Sequence, residues 1–185
     1  MLMAEYPARL ARQHRLFDGR LVTIRPIRRD DDGLERDFLN ALSGESRYLR
    51  FHKWVRAPSD KLIHLLTDID HDRQMAWVCT AASGGREELV GEARYACNPD
   101  GASCEFGVMI ADTWRKSGVA GILMQTLLET ARERGLTSME GLVLRSNTKM
   151  LRFVRGLGFE IHPVPEDLKT VRVVKKLGSP IGQPD

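Results

Sequence analysis

One segment near the middle of the chain combines two basic residues, a serine and a glycine directly before a long helical pattern. It reads Arg115-Lys116-Ser117-Gly118-Val119-Ala120 and is followed by Gly121. The first turn of a helix has N–H groups without intrahelical acceptors and the positive end of the helix dipole, so it attracts anions. Gly118 allows a ligand close to the backbone. The segment predicts a phosphate-binding loop, with an ordinary basic loop before a core helix as the alternative.

A second candidate is Glu105, on the predicted strand Ala102–Ile110 that precedes this loop. Strand alternation places Glu105 and Gly107 on the same face, and Gly107 leaves room beside the carboxylate for a ligand or another backbone. A carboxylate in such a position can act as a general base. A solvent-exposed surface glutamate is the alternative. The position of Glu105 on the strand that leads into the loop favours the catalytic role.

A third candidate, Asn147, follows Ser146 at the start of the last predicted helix. Either residue can cap that helix, and the spacing alone favours a cap. A functional asparagine here would hydrogen-bond an amide-bearing ligand that lies along the preceding strand.

The remaining sequence predicts the elements that must position these residues. Residues 1–18 lack periodicity and are expected to form an N-terminal arm or a short helix, whereas residues 179–185 belong to a flexible Gly/Pro-rich tail. Between them, residues 19–178 show the order β, helices, β-β-β, α, β, α, β, β, which indicates a single α/β domain on a mixed sheet. The predicted strands are Leu21–Ile24, Met75–Ala82, Leu89–Cys97, Ala102–Ile110, Ser138–Leu144, Phe159–Val164 and Leu168–Lys176. The predicted helices are one that follows Asp30–Asp32, then Ser46–Trp54, Ser59–Leu66, Val119–Arg134 and Asn147–Leu157.

The composition narrows the class of protein. The 185 residues are 42% hydrophobic and 29% charged, and the net charge is +3 without strong clustering, which argues against a nucleic-acid partner. No apolar run reaches the roughly 18 residues of a membrane helix, and no signal peptide is recognisable, so a cytoplasmic protein without a membrane partner is expected. Cys79, Cys97 and Cys104 lack the spacing of zinc ligands, so no metal is expected. A disulfide between Cys97 and Cys104 is also not expected in a reducing compartment.

Together these residues resemble the GCN5-related N-acetyltransferase (GNAT) superfamily. The acetyl-CoA loop of that family has the form Arg/Gln-x-x-Gly-x-Gly/Ala, which Arg115–Ala120 matches. The segment Asn147–Phe159 is similar to a second family segment, in which Asn leads a helix that ends in Leu-Gly-Phe. The resemblance covers roughly residues 20–177. It implies a largely antiparallel mixed sheet flanked by helices, with an acetyl-CoA cleft where strands Ala102–Ile110 and Ser138–Leu144 splay apart.

A closer resemblance is to the acetyltransferase domain of Pat-type bacterial protein-lysine acetyltransferases. It is carried by Ile24–Arg28, Glu45–Phe51 and Ile69–Ala76, and by a glutamate at the position of Glu105. The resemblance implies an N-acetyltransferase that uses acetyl-CoA and an amine acceptor, with Glu105 as catalytic base. The residues then expected to bind acetyl-CoA are Val108, Met109, Ile110, Arg115, Lys116, Ser117, Gly118, Val119, Ala120, Gly121 and Asn147.

The sequence also departs from these relatives. Val154 stands where many GNAT enzymes place a tyrosine that protonates the departing thiolate, although Pat-like domains also tend to lack it. No counterpart of the large acyl-CoA-ligase-like region of Pat enzymes is present in the sequence. Three functions therefore stay open: a protein-lysine acetyltransferase, an acetyltransferase of a small amine such as a polyamine, amino acid or antibiotic, and a non-catalytic acyl-CoA sensor. Both a monomer and a homodimer are compatible with the sequence.

Overall fold

A computed structural model describes residues 6–53 and 56–178 of the chain. Over these residues the helices and strands follow one another in the predicted order, with one additional strand at the start. The strands are β1 (Arg12–Arg15), β2 (Leu21–Pro26), β3 (Gln74–Ser83), β4 (Arg86–Cys97), β5 (Ser103–Ile110), β6 (Ser138–Leu144), β7 (Glu160–Pro163) and β8 (Thr170–Lys176). The α-helices are α1 (Asp32–Ala41), α2 (Gly44–Phe51), α3 (Asp60–Thr67), α4 (Val119–Glu133) and α5 (Thr148–Gly156).

The described strands form one mixed sheet in the order β1-β2-β3-β4-β5-β6-β8-β7. The pairs β1–β2, β2–β3, β6–β8 and β7–β8 are antiparallel, whereas β5 and β6 are parallel. Parallel neighbours need a crossover connection, and α4 supplies it between β5 and β6. The predicted α/β domain with a mixed sheet and flanking helices is confirmed.

Strand β1 is the main difference from the expected N-terminal arm. Its four residues pair with β2 from Arg12 opposite Ile24 to Arg15 opposite Leu21. All four side chains are polar, so no apolar alternation marks the strand in the sequence; its backbone pairing with β2 defines it. Ala8–Leu10 form a short 3-10 turn. The first five residues of the predicted arm and the predicted tail, residues 179–185, lie outside the described residues.

Helix α2 begins two residues before its predicted start and ends at Phe51 rather than near Trp54, which lies outside the described residues. The Oγ of Ser43 accepts a hydrogen bond from the Ser46 N–H at 3.1 Å, and this cap defines the first turn. His52 adopts a left-handed backbone with φ of 52°, which ends the helix.

The chain packs as two compact units. The first consists of Met1–Tyr95 and Val108–Leu127, and the second of Ala96–Gly107 and Leu128–Asp185. The core of the first unit contains Ile27, Phe38, Leu39, Leu42, Ile63, Leu66, Ile69, Ala76, Val78, Leu89, Met109 and Ala111. In the second unit the Phe106 and Phe159 rings lie 5.1 Å apart between centroids. Phe106 also covers Gly141, because a Cβ there would lie 2.9 Å from its ring.

A buried ion pair ties β2 to the start of α1. Arg25 is 1% exposed and donates two hydrogen bonds to Asp31, at 2.7 and 2.8 Å. Glu87 on β4 also accepts a hydrogen bond from the Arg25 guanidinium, at 3.3 Å. Within the part of the chain that the structure describes, no helix combines the length and the hydropathy that crossing a bilayer requires.

Candidate functional site

The predicted phosphate loop connects β5 to α4, and its backbone is strongly turned. Lys116 and Gly118 both have positive φ, at 63° and 92°, a conformation that glycine adopts without steric cost. The hydroxyl of Ser117 donates to the Trp114 carbonyl at 2.6 Å and accepts from the Val119 N–H at 3.3 Å. The Ser117 N–H also donates to the Trp114 carbonyl, at 3.3 Å. Ser117 therefore shapes the turn with both of its donors.

Arg115 connects this loop to the start of α2. Its guanidinium lies 2.6 Å from an Asp112 oxygen and donates to Ser46 Oγ at 2.7 Å. Asp112 also accepts from the Ser43 N–H and the Ser46 hydroxyl, both at 2.8 Å. Burial raises the pKa of Asp112, but these hydrogen bonds and Arg115 lower it by more, so the pKa lies below its usual value. Lys116 is exposed and extends the positive charge of the loop.

The start of helix α4 packs closely on a glycine of β4, Gly91. A Cβ at Gly91 would lie 2.7 Å from Ile110 Cδ1, 3.1 Å from Val119 Cγ1 and 3.2 Å from Leu123 Cδ1. Val119 and Leu123 are fully buried. The close packing of α4 on Gly91 therefore sets where the first-turn N–H groups of the helix lie, and these groups are the anion-binding part of the predicted site.

Val108, Met109 and Ile110, which the sequence predicts to bind acetyl-CoA, form the last part of β5. Met109 is buried in the core of the first unit, whereas Val108 and Ile110 are partly buried. The Ala111 N–H, one residue further, donates to the Val90 carbonyl at 2.9 Å. The side chains of Met109 and Ile110 therefore serve packing, Met109 in the core and Ile110 against Gly91.

Glu105 lies on β5 in the second unit, and its side chain is exposed while Cys104 and Phe106 are buried. The parallel pairing of β5 with β6 covers Ser103–Glu105 opposite Ser138–Glu140, so Glu105 is the last paired residue of its strand in this ladder. Its carboxylate is thus placed where the two strands stop pairing.

The register brings a second glutamate next to Glu105. Glu140 is its partner on β6, and parallel partners project to the same face. Glu140 accepts from the Asn98 side-chain amide at 3.0 Å and lies 3.9 Å from the Arg172 guanidinium. Sequence reasoning missed Glu140, because its neighbour is 35 positions away in the numbering and only the pairing of β5 with β6 identifies it.

Two of the three thiols are poor nucleophiles. Burial raises the pKa of both Cys79 and Cys104 to about 12, so these thiols stay protonated at neutral pH. Cys97, the third cysteine, forms no disulfide in the part of the chain that the structure describes. Among the described residues, His, Cys, Asp and Glu side chains form no group of three that suits a metal ion.

Asn147 is the N-cap of α5, as the spacing favoured. Its Oδ1 accepts from the Met150 N–H at 3.1 Å, which leaves the two N–H groups of the same amide as possible ligand donors. Val154 is fully buried in the helix, so its position contributes packing and no proton donor. The helix ends through Gly158, with φ of 82°, and the Phe159 N–H donates to the Val154 carbonyl at 3.0 Å.

Comparison with known proteins identifies relatives of this chain. The model of the acetyltransferase (GNAT) family matches residues 36–159. Acetyltransferase PA5475 of Pseudomonas aeruginosa is 35% identical over 162 residues, which cover 88% of this chain and 86% of that protein. Acetyltransferase Pat of Mycolicibacterium smegmatis is 27% identical over 117 residues, covering 63% of this chain and 34% of that protein.

A solved structure agrees with these sequence matches. The GNAT domain of S. lividans PAT superposes with a TM-score of 0.83 at 28% identity, and the match covers 93% of this chain and 99% of that domain. The likeness therefore extends over nearly all of both chains.

Proposed function

The chain belongs to the acetyltransferase (GNAT) family, and from this premise we propose that it transfers the acetyl group of acetyl-CoA to a protein lysine, with Glu105 as general base. Members of the family use acetyl-CoA as donor and an amine as acceptor. The proposal adds the class of acceptor and the roles of individual residues. The single observation that carries the catalytic role is the exposed Glu105 carboxylate at the last paired position of β5.

The loop between β5 and α4 has the properties needed to hold the pyrophosphate of acetyl-CoA. Gly118 supplies a left-handed turn without a side chain, and the first turn of α4 supplies backbone donors at Ala120 and Gly121, since the Val119 N–H already donates to Ser117 Oγ. Lys116 and Arg115 add positive charge, and the Asp112 contact orients Arg115. We assign the pantetheine amides to the backbone of Val108–Ile110, as in the addition of a strand, and to the side-chain amide of Asn147.

Glu105 meets the main chemical requirement of the reaction, which is deprotonation of the acceptor. A lysine with a pKa near 10.4 is neutral in only about one molecule in a few thousand at pH 7. Glu105 takes the ammonium proton, directly or through a water molecule, and the free amine nitrogen attacks the thioester carbonyl carbon. The C–S bond then breaks, CoA leaves as a thiolate, and the acylated nitrogen loses its extra proton to water or to the thiolate, which leaves a neutral amide. Because a thiol pKa near 8.5 makes this an acceptable leaving group, the buried Val154 does not prevent turnover.

Three findings support a protein lysine as the acceptor. The stretches Ile24–Arg28, Glu45–Phe51 and Ile69–Ala76 resemble Pat-type protein-lysine acetyltransferases, and the structural match to the GNAT domain of S. lividans PAT is extensive. In addition, the Glu105 side chain is exposed, so a lysine on the surface of another protein can approach it. A polyamine or another small amine is the competing acceptor.

The proposal is tested by acetyl-CoA consumption over lysine peptides, intact proteins, polyamines and amino acids, with wild type and Glu105→Gln compared. Glu105→Gln is expected to lower kcat on the preferred acceptor by about 100-fold or more, because it removes the general base. Its affinity for acetyl-CoA, measured by calorimetry, is expected to stay within about twofold of wild type, since Glu105 acts on the acceptor. Glu166→Gln, at another exposed glutamate, is the matched control and is expected to turn over normally.

Each unfavourable result has a distinct meaning. Full turnover by Glu105→Gln would remove Glu105 from the mechanism. Faster consumption with a polyamine or amino acid than with any lysine peptide or protein would replace the proposed acceptor by a small amine. Binding of acetyl-CoA without transfer to any amine would instead identify an acyl-CoA-sensing module.

A further inference from the structure

The turn between β1 and β2 carries an aromatic side chain that is completely exposed. Phe17, at the tip of this turn, has a relative exposure of 105%. The turn itself is tightly bonded: the Leu16 N–H donates to the Arg20 carbonyl at 2.8 Å, and the Gly19 N–H donates to the Leu16 carbonyl at 2.9 Å. The Asp18 carboxylate accepts from the Arg20 N–H at 3.1 Å. Phe17 is therefore held away from the core by a defined turn.

This turn lies directly beside the loop assigned to the pyrophosphate. The Phe17 ring is 3.9 Å from the point that a Cβ on Gly118 would occupy. The Arg20 guanidinium stacks over the Trp114 ring, 3.8 Å from its centroid, and pairs with Asp18 at 2.6 Å. These contacts attach the β1–β2 turn to the start of the loop and place the Phe17 ring next to its glycine.

Coenzyme A has a chemical group that suits an exposed ring beside an anion-binding loop, namely its adenine. The pyrophosphate of this molecule is bonded to the ribose of an adenosine, so the adenine lies one sugar away from the phosphates. Purine rings stack on exposed aromatic side chains, which removes apolar surface of both partners from water. The short distance between Phe17 and Gly118 brings such a ring within the reach of the nucleotide.

We propose that Phe17 is the stacking surface for the adenine of acetyl-CoA, which makes the β1–β2 turn part of the donor site. This assignment rests on the proposed function, because it requires Gly118 and its neighbours to bind the pyrophosphate. It explains why a phenylalanine occupies the tip of a turn that is otherwise polar, with Asp18, Gly19 and Arg20 following it. Strand β1 then has the role of presenting this turn beside the loop.

The test compares two ligands that differ in the adenosine. Wild type and Phe17→Ala are titrated by calorimetry with CoA and with 4′-phosphopantetheine, which has a phosphate and the pantetheine arm but no nucleotide. Phe17→Ala is expected to weaken CoA binding roughly tenfold, the usual effect of removing one base-stacking ring, and to leave 4′-phosphopantetheine binding within about twofold. Phe17→Trp is expected to bind CoA within about twofold of wild type, because it keeps a stacking surface.

Leu65→Ala, which removes another exposed apolar side chain on α3, is the matched control and is expected to bind both ligands normally. Unchanged CoA affinity in Phe17→Ala would overturn the proposal. Equal weakening of both ligands would overturn it too, since the substitution would then act through the loop. If wild type bound neither ligand, the assignment of the loop itself would fail, and that result is distinct from failure of the stacking proposal.

Discussion

Glu35 on α1 is a buried carboxylate that catalysis, as proposed, does not use. Its side chain is fully buried, and within the described residues neither of its oxygens accepts a hydrogen bond. Burial raises the pKa of Glu35 well above its usual value, and the nearby carboxylates of Glu92 and Asp31 raise it further, against the opposing effect of Arg94 and Arg50. The folded chain therefore favours the neutral acid at this position.

Because its pKa is raised, Glu35 makes a contribution to the free energy of unfolding that depends on pH. Because Glu35 binds its proton more tightly in the folded than in the unfolded chain, its contribution to stability is fully present below the unfolded pKa, near 4.3, and is lost as the pH rises through the folded pKa. Glu35→Gln, which resembles the neutral acid, is expected to be more stable than wild type at pH 8 by on the order of 1 kcal/mol.

The measurement is urea unfolding at pH 5 and pH 8, with the exposed Glu133→Gln as control. The advantage of Glu35→Gln over wild type is expected to shrink at pH 5, whereas Glu133→Gln should differ little from wild type at either pH. An advantage of the same size at both pH values would show that Glu35 does not titrate in this way.

Helix α4 carries part of the proposed donor site, and its start packs closely on one glycine of β4. Gly91 leaves no space for a methyl group between Ile110, Val119 and Leu123. The contacts at Val119 and Leu123 involve the first two turns of α4, and N–H groups of the first of these turns are assigned to the pyrophosphate. Packing under the helix and ligand binding at its start are thus linked.

Gly91→Ala is expected to destabilise the fold by about 1–3 kcal/mol, because the added methyl group would have to displace Ile110 or the start of α4. Gly33→Ala is the matched control: Gly33 lies in α1 with open space around its Cα, so alanine should stabilise the helix by about 0.5–1 kcal/mol. Chemical denaturation measures both variants. A Gly91→Ala protein as stable as wild type would show that α4 can shift without cost.

For the whole molecule, we expect the binding of acetyl-CoA to be coupled to folding. The residues proposed to bind acetyl-CoA extend from Val108 to Asn147 along the chain, so binding is expected to require the folded state. A ligand that binds the folded state alone stabilises it in proportion to the logarithm of its concentration.

CoA at about 100 times its Kd is expected to stabilise the chain by about 2.7 kcal/mol, which corresponds to a rise in Tm of roughly 5–10 °C for a protein of this size. Gly118→Glu should abolish the rise, because it adds bulk and negative charge to a loop position with φ of 92°. Gly84→Glu, at a turn glycine with φ of 56° and open surroundings, has comparable backbone strain and should keep the rise. The same Tm shift in Gly118→Glu would contradict the assignment of the loop.

The order of elements and several helix starts follow from local sequence. Asn147 caps α5, as its position predicted, and Ser59 caps α3 in the same way, because a cap depends on a side chain and an N–H group three residues apart. The bounds of β6 agree with the prediction residue for residue, since its apolar pattern lies between clear turn signals. The family motif at Arg115–Ala120 is equally local and predicted the acetyltransferase fold.

The sequence by itself thus determined the α/β class, the family and the candidate loop, glutamate and asparagine, because all of these can be recognised from patterns in short stretches of the chain. The tertiary structure alone decided which distant residues meet. The polar strand β1, the pairing of Glu105 with Glu140, the burial of Glu35 and the place of Phe17 beside Gly118 all depend on contacts between remote segments. Such contacts leave no local pattern, since register and packing arise only when the whole sheet and its helices assemble.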